Sequence, residues 1–402
     1  MIYTFVRAEP NQDQKKLLER LDEFHIKKNK PIFVYSGPPG SGKTWVIRLF
    51  FEKHHISETD FMTCAYSGKA SNVLAMNGLP SRTIHSLIYN MTLVQKVNQT
   101  TGEIQMVPQF VKKPQLDHDY KYLVVDELSM VPDNIMEDLL SFGIPIIGMG
   151  DTNQLPPVFG CGSYIARPDF TLTEIMRQAW DSPIIKMSQY VLHNVPLGYG
   201  TYGNNCNVLR RVPIGRNLLG YDCILCNRNN TRMLINDIFR RDIMRFKYVN
   251  GSIPLLCVGD KIVCKQNSWS RALNGIYLTN GTVGQVEYID EEHTNKKKIT
   301  IDFKPDYSTG ECFDSVPVCR KYLEDADSVR TYNFGVVNFD YAYALTVHSA
   351  QGSQFNRILY IDDGFSGDRE IKKKLKYTAI TRAIDSIDIV DCDDFYNYVC
   401  ER

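Results

Sequence analysis

The chain has 402 residues, with 46 basic side chains balancing 46 acidic ones, which is enough for two or three packed domains and leaves any basic surface local. Its eleven cysteines are scattered singly, without the framework of a small secreted domain, and Cys223-Ile-Leu-Cys226 has no second pair to complete a metal site. Met1 to Pro10 lacks the apolar core of a signal peptide and no 18-residue apolar run occurs, so the expectation is a soluble, cytoplasmic protein with no membrane partner.

In chain order, Asn11 to Lys27 places Leu17, Leu18, Leu21 and Phe24 at helical spacing. Gln14, read alone, is an exposed polar residue of that helix's first turn. The apolar run Ile32 to Tyr35 has the length of a buried parallel strand. It breaks into Gly37-Pro38-Pro39-Gly40-Ser41-Gly42-Lys43-Thr44, which fits G-x-x-x-x-G-K-[ST] at every fixed position. Glycines let the backbone N–H groups converge on a phosphate, and the helix expected over Trp45 to Lys53 adds its N-terminal charge. Lys43 would reach the β- and γ-phosphates and Thr44 would ligate Mg²⁺. A nucleoside triphosphate is therefore expected, with Mg²⁺.

A second strand, Phe61 to Tyr66, leads into the polar turn Ser67-Gly68-Lys69-Ala70, and Ser81 to Leu87 begins another helical piece. Two β-rich runs between Met91 and Gln109 flank a Gly-containing turn and predict a projecting hairpin. The strand Tyr122 to Val125 ends in Asp126-Glu127, placed where strand C-termini face a ligand crevice. Asp126 would hold Mg²⁺, and Glu127 would orient and deprotonate the attacking water. A strand from Ile144 to Met149 ends at Gly150-Asp151, and Gln154 beyond it can sense the γ-phosphate or the lytic water. Asp181 to Gly220 reads as a helix followed by a Gly-, Asn- and Tyr-rich loop. Cys223 to Cys226 is a strand and Asn230 to Arg245 a basic helix. Short strands at Gly259 to Val263, Gly281 to Tyr288 and Lys298 to Phe303 mark a change to an all-β module. Val336 to Phe339 reads as a returning strand, followed by a helix carrying Thr346 to Gln351. Ile358 to Ile361 and Ile387 to Val390 are late core strands on either side of a helix from Ile371 to Ile380.

Arg177 and Arg382 lie about 200 residues apart. Each alone is an ordinary surface cation, yet together they could face one cleft, where a guanidinium stabilises charge gathering on a transferring phosphoryl group.

Taken in order, Gly37–Thr44, Ser67-Gly-Lys-Ala, Thr83-Ile-His-Ser, Asp126-Glu-Leu-Ser-Met, Gly150-Asp-Thr-Asn-Gln-Leu-Pro-Pro-Val, Leu172–Gln178, Tyr343-Ala-Leu-Thr-Val-His-Ser-Ala-Gln-Gly352 and Tyr377–Ala383 resemble the ordered motifs of superfamily 1 helicases. The wording is closest to the RecD and Dda branch, group 1B, and the compact length resembles a phage Dda-type helicase. The resemblance implies an α/β fold of two tandem RecA-like domains. The first covers 1–90 and 110–178, with an inserted β-hairpin pin at 91–109. The second covers 179–265 and 333–402, with a small β-barrel module at 266–332. It makes Gln14 an adenine reader and places Gly37, Pro38, Gly40, Ser41, Gly42, Lys43, Thr44 and Gly352 at the nucleotide. Lys43, Glu127, Gln154, Arg177 and Arg382 take the catalytic roles, and Thr44 and Asp126 the metal. Ser67, Lys69, Thr83, His85, Thr346 and His348 line a single-strand groove, although His85 and His348 seen alone read as satisfied helix-terminus histidines.

The implied activity is ATP-dependent translocation on single-stranded DNA, 5′ to 3′, with unwinding of forks. A monomer is expected, in replication, repair or recombination, with replication or single-strand-binding proteins as partners. An RNA-directed motor and an ATP-gated clamp that binds without unwinding are the alternatives. The expected pin tip, Thr100-Thr101-Gly102, carries no aromatic wedge.

Overall fold

The computed structural model describes residues 9–97, 104–157, 160–175, 181–203, 205–213, 215–249, 251–273, 276–325, 335–365 and 367–392. Helix α1 (Gln12–Lys27) opens the N-terminal lobe. Its start is a capping box: Asn11 Oδ1 accepts from the Gln14 N–H, and the Gln14 side chain accepts from the Asn11 N–H. Gln14 is therefore buried, at 1% exposure, and not the exposed residue its position alone suggested.

Strand β1 (Ile32–Ser36) runs into the phosphate loop and helix α2 (Lys43–Lys53). Then come β2 (Phe61–Ala65), α3 (Gly68–Met76), the short β3 (Ser81–Thr83) and α4 (Ile84–Ile88). A hairpin of β4 (Tyr89–Val97) and β5 (Ile104–Lys112) leaves the lobe, and its tip lies outside the described residues. Strands β6 (Tyr122–Asp126), β7 (Ile146–Gly150) and β8 (Phe170–Thr171) complete the sheet. All its pairs are parallel, in the order β3-β2-β6-β7-β1-β8. β2 and β7 are buried throughout, as strands covered on both faces must be. One face packs on Leu17, Leu21, Val46, Ile47 and Phe50, the other on Ile84, Leu87, Met136 and Leu139. Each such side chain contributes roughly 2 kcal/mol of burial.

The C-terminal lobe has β9 (Gly200–Thr201), β10 (Cys206–Leu209) and β11 (Cys223–Cys226). β10 falls within the stretch expected to be loop; four residues are too short a periodic signal, and parallel pairing with Ile387–Val390 makes the strand. The chain then forms an antiparallel sheet from β12 (Lys261–Cys264), β15 (Val283–Asp290), β16 (Lys298–Pro305), β17 (Phe313–Cys319) and β18 (Phe339–Tyr341), with a hairpin of β13 (Ser268–Leu273) and β14 (Ile276–Leu278) beside it. Phe339, expected to return to the parallel sheet, instead pairs with Cys264 and fills the antiparallel core beside Phe303. The chain returns through β19 (Ala344–Thr346), β20 (Phe355–Asp362), a helix at Arg369–Ile380 and β21 (Ala383–Asp391), giving the order β19-β11-β20-β21-β10-β9. Thr346 to Gln351 is not a helix. Ala344–Thr346 pairs with β11 and the next residues form a tight turn, since three residues of strand pairing outweigh the weak helical pattern of a six-residue stretch. Both lobes are α/β with RecA-like parallel sheets. Among the described residues no helix is long and apolar enough to cross a membrane.

Candidate functional site

The phosphate loop sits at the C-terminal end of β1, next to the C-terminal ends of β7 and β6. Gly40 and Gly42 have φ of 78° and 83°, a left-handed backbone that a side chain would strain. Gly42 caps α2 without any side-chain hydrogen bond, leaving the first-turn N–H groups available to an anion. The Gln14 amide donates to the Ser41 carbonyl at 3.0 Å, and Ser41 Oγ donates to the Pro38 carbonyl at 2.8 Å, so the loop is braced from within. Lys43 Nζ lies over the loop, donating to the Gly37 and Pro38 carbonyls at 2.7 and 3.2 Å. Tyr35, buried beneath, donates to the Lys43 carbonyl at 3.0 Å.

Asp126 closes β6, and Glu127 follows with a positive φ of 48° that turns its side chain out of strand geometry. The Glu127 N–H donates to Asp126 Oδ1 at 2.8 Å. Burial, reinforced by the adjacent Glu127 carboxylate, pushes Asp126 up to about 7, while Lys43 pulls the other way. Asp126 and Glu127 are neighbouring carboxylates short of positive charge, hard oxygen donors of the kind Mg²⁺ takes, commonly from only one or two protein ligands.

The C-terminal lobe reaches this site across a seam. Arg382 is 3% exposed. Its guanidinium donates to the Thr378 carbonyl at 3.2 Å and the Ser353 carbonyl at 3.4 Å, and lies 3.9 Å from Glu127 Oε1. Tyr377 donates to Asp151 Oδ2 at 2.6 Å, the Leu155 N–H donates to Thr378 Oγ1 at 3.2 Å, and the Gln351 amide donates to the Leu155 carbonyl at 3.2 Å. Asp151, Gln351 and Tyr377 stood inside the quoted motifs, yet sequence reasoning gave them no role; a motif does not say that a tyrosine in one lobe will meet a carboxylate in the other. Gln154 is buried, and its Oε1 has no hydrogen-bond partner among the described residues. Arg177 lies outside the described residues. Gly352, implied at the nucleotide, has φ of 71° and packs against the seam, where a Cβ would come within 2.9 Å of Ser67 Oγ.

At the far edge strand of each sheet, Thr83 and Thr346 occupy matching places. Each ends an edge strand and accepts at Oγ1 from an N–H three residues on, that of Ser86 or Ser349, both at 3.2 Å. His85 and His348 follow, each with its imidazole held below the usual range by burial. Ser67 caps α3. The root of the hairpin adds something the motifs missed: Phe110, 52% exposed, lies 5.7 Å from His85, in an aromatic group with Tyr66 and Tyr89. Lys69 does not face this side; its ammonium sits 4.7 Å from the centre of the Phe355 ring in the seam.

Residues 9–196 match the model of an AAA domain, and residues 341–386 that of a UvrD-like helicase C-terminal domain. An ATP-dependent RecD2 DNA helicase of Deinococcus radiodurans is 26% identical over 408 residues, covering 93% of this chain and 48% of that protein. An ATP-dependent DNA helicase RRM3 of Saccharomyces cerevisiae is 27% identical over 160 residues, 35% of this chain and 20% of that one. The chain thus spans about half the length, or less, of these curated relatives. Among solved structures, a Pif1 helicase from Candida albicans superposes with a TM-score of 0.54 at 16% identity, over 96% of this chain and 95% of that one. A Bacteroides Pif1 bound to ssDNA gives 0.54 at 17%, over 95% and 92%.

Proposed function

We propose, from the premise that this chain belongs to superfamily 1B of the helicases in its RecD and Pif1 branch, that it is an ATP-dependent DNA helicase moving along single-stranded DNA. The observation that carries the reading is Arg382 of one lobe set beside Glu127 of the other, at the mouth of the phosphate loop.

The loop N–H groups and Lys43 bind the triphosphate, Gln14 braces the loop and would read the adenine, and Glu127 takes the proton of the attacking water. Thr44 and Asp126 would hold Mg²⁺, which neutralises phosphate charge when bound. Arg382, with Arg177, stabilises the charge gathering on the transferred phosphoryl group. Gln154, its oxygen without a partner among the described residues, reports whether that group is present. Because Tyr377, Thr378, Gln351 and Arg382 all touch the N-terminal lobe, at Asp151, Leu155 and Glu127, loss of the γ-phosphate loosens the seam and the lobes part. Ser67, Thr83 and His85 on one lobe and Thr346 and His348 on the other would grip phosphates of the strand alternately, without reading sequence. The hairpin of β4 and β5 serves as the pin, and the antiparallel sheet as the accessory module. Polarity of 5′ to 3′ comes with the family.

The test is ATP turnover with and without matched DNA and RNA single strands, paired with unwinding of duplexes carrying a 5′ or a 3′ tail. Stimulation by DNA and unwinding from the 5′ tail are expected. Turnover that ignores DNA, or unwinding confined to the 3′ tail, would overturn the activity or the polarity respectively.

A further inference from the structure

Lys69 stands in the first turn of α3, in the N-terminal lobe, yet its ammonium is spent on the other lobe. Phe355, the ring beneath it, is 6% exposed and begins β20. The Phe355 N–H donates to the Arg382 carbonyl at 2.9 Å, and Ser353, two residues earlier, accepts from the Arg382 guanidinium at 3.4 Å. The short segment from Ser353 to Phe355 therefore holds Arg382 at both its backbone and its charged end. Lys69 rests on the far end of that segment, with Gly352 packed against Ser67 and Ala70 at the near end. The same turn of α3 is pinned on its outer side by the antiparallel module, where the Asn72 amide donates to Thr279 Oγ1 at 3.1 Å and to the Tyr277 carbonyl at 3.2 Å.

We propose that Lys69 is a positioning residue for ATP hydrolysis: by seating its ammonium on the Phe355 ring, it fixes the Ser353–Phe355 segment and so delivers the Arg382 guanidinium to Glu127 when the lobes close. The assignment rests on the hydrolytic reading given above. It also separates Lys69 from its motif neighbour Ser67, which caps α3, whereas Lys69 reads the position of the opposite lobe. Burial against the ring holds the Lys69 ammonium down to about 8, which accords with a cation enclosed by the seam and not resting on a solvated phosphate groove.

The experiment uses the whole chain, with Lys69→Met, Lys69→Arg, Phe355→Leu and the Lys69→Met/Phe355→Leu double variant. Its readouts are steady-state ATP turnover at saturating single-stranded DNA, binding of a fluorescent ATP analogue, and the salt dependence of DNA binding. Loss of the contact should lower kcat about tenfold with KM for ATP and analogue affinity nearly unchanged. Lys69→Arg, which also stacks on a ring, should restore most of that rate. The double variant should be no slower than Phe355→Leu alone, because both remove one contact. If Lys69 instead binds a DNA phosphate, Lys69→Met will lower the slope of log K against log salt by about one while kcat at saturating DNA is kept, and the proposal fails. A wild-type chain that hydrolyses ATP with Lys69→Met unaffected overturns this inference alone. A wild-type chain without ATP turnover overturns the hydrolytic reading first and this one with it.

Discussion

The two lobes repeat one sheet and differ in what they hang from it. In the N-terminal lobe, β1, β2, β3, β6 and β7 take positions five, two, one, three and four of the strand order, and in the C-terminal lobe β10, β11, β19, β20 and β21 take the same positions in the same chain order. Even the ends correspond. β3 and β19 both finish in Thr-x-His-Ser, and β6 and β20 both finish in paired acids, Asp126-Glu127 and Asp362-Asp363. The fates of those acids are opposite. Asp362 is bound by Lys376 at 3.1 Å, and the same lysine takes Asp391 at 2.9 Å. Asp363, 1% exposed, accepts from the Asn227 and Arg228 N–H groups at 2.7 and 3.2 Å. After β10 the chain runs on as Arg210-Arg211-Val212-Pro213, with no glycine loop. One lobe leaves its carboxylates open to a cation and a phosphate, and the other consumes them in structure. Fold symmetry alone therefore assigns no chemistry; the loops at the strand ends do.

The comparison breaks most visibly at the seam. Arg382→Ala should lower kcat by about a thousandfold while the nucleotide still binds, because the lost guanidinium acts mainly on transition-state charge. Steady-state turnover beside a fluorescent-nucleotide titration checks it, and loss of binding in step with turnover would show that Arg382 merely holds the lobes together. Glu127→Gln should cost about a hundredfold in the same assay with binding intact, since the amide cannot take a proton.

The C-terminal acids should behave in the opposite way. Asp363→Ala leaves the buried Asn227 N–H and the half-buried Arg228 N–H without an acceptor and should destabilise the fold by about 2 kcal/mol, with turnover per folded molecule unchanged. Denaturant unfolding and active-site titration separate the two effects, and a loss of turnover without a loss of stability would place chemistry in the second lobe.

The smallest effect concerns the matched histidines. Both have folded-state values lowered by burial, so the stability they give as neutral groups is present above the ordinary imidazole value and is lost as pH falls. A DNA phosphate favours the charged form. Binding should then take up protons, and affinity for a single strand should rise about threefold between roughly pH 8 and pH 6. His85→Asn and His348→Asn should each flatten that rise; an unchanged profile in either would remove that lobe's histidine from the groove.

Much of this was legible in the chain itself, because a phosphate loop is a local device. The order of Gly37 to Thr44 between an apolar strand and an apolar helix, and the carboxylates closing β6, follow from spacing and backbone freedom that neighbours in sequence supply. The strand Cys223–Cys226, an apolar run with clear ends, and the helix before Arg382, whose Ile371, Leu375 and Thr378 recur at helical spacing, were equally plain. The four-residue β10 and the turn after Thr346 were not, since so short a stretch carries too little periodic signal and its state is set by the strand it pairs with. Gln14 could have been found buried from its Asn-x-x-Gln capping signature. What only the tertiary structure decided are the relations between distant residues: that Arg382 lies by Glu127, that Tyr377 meets Asp151, that Lys69 faces Phe355 across the seam and Phe110 stands beside His85. Those contacts join segments up to some 290 residues apart, and no local pattern encodes them. They arise when two sheets, each folding on its own apolar signal, pack so that their loops share one cleft.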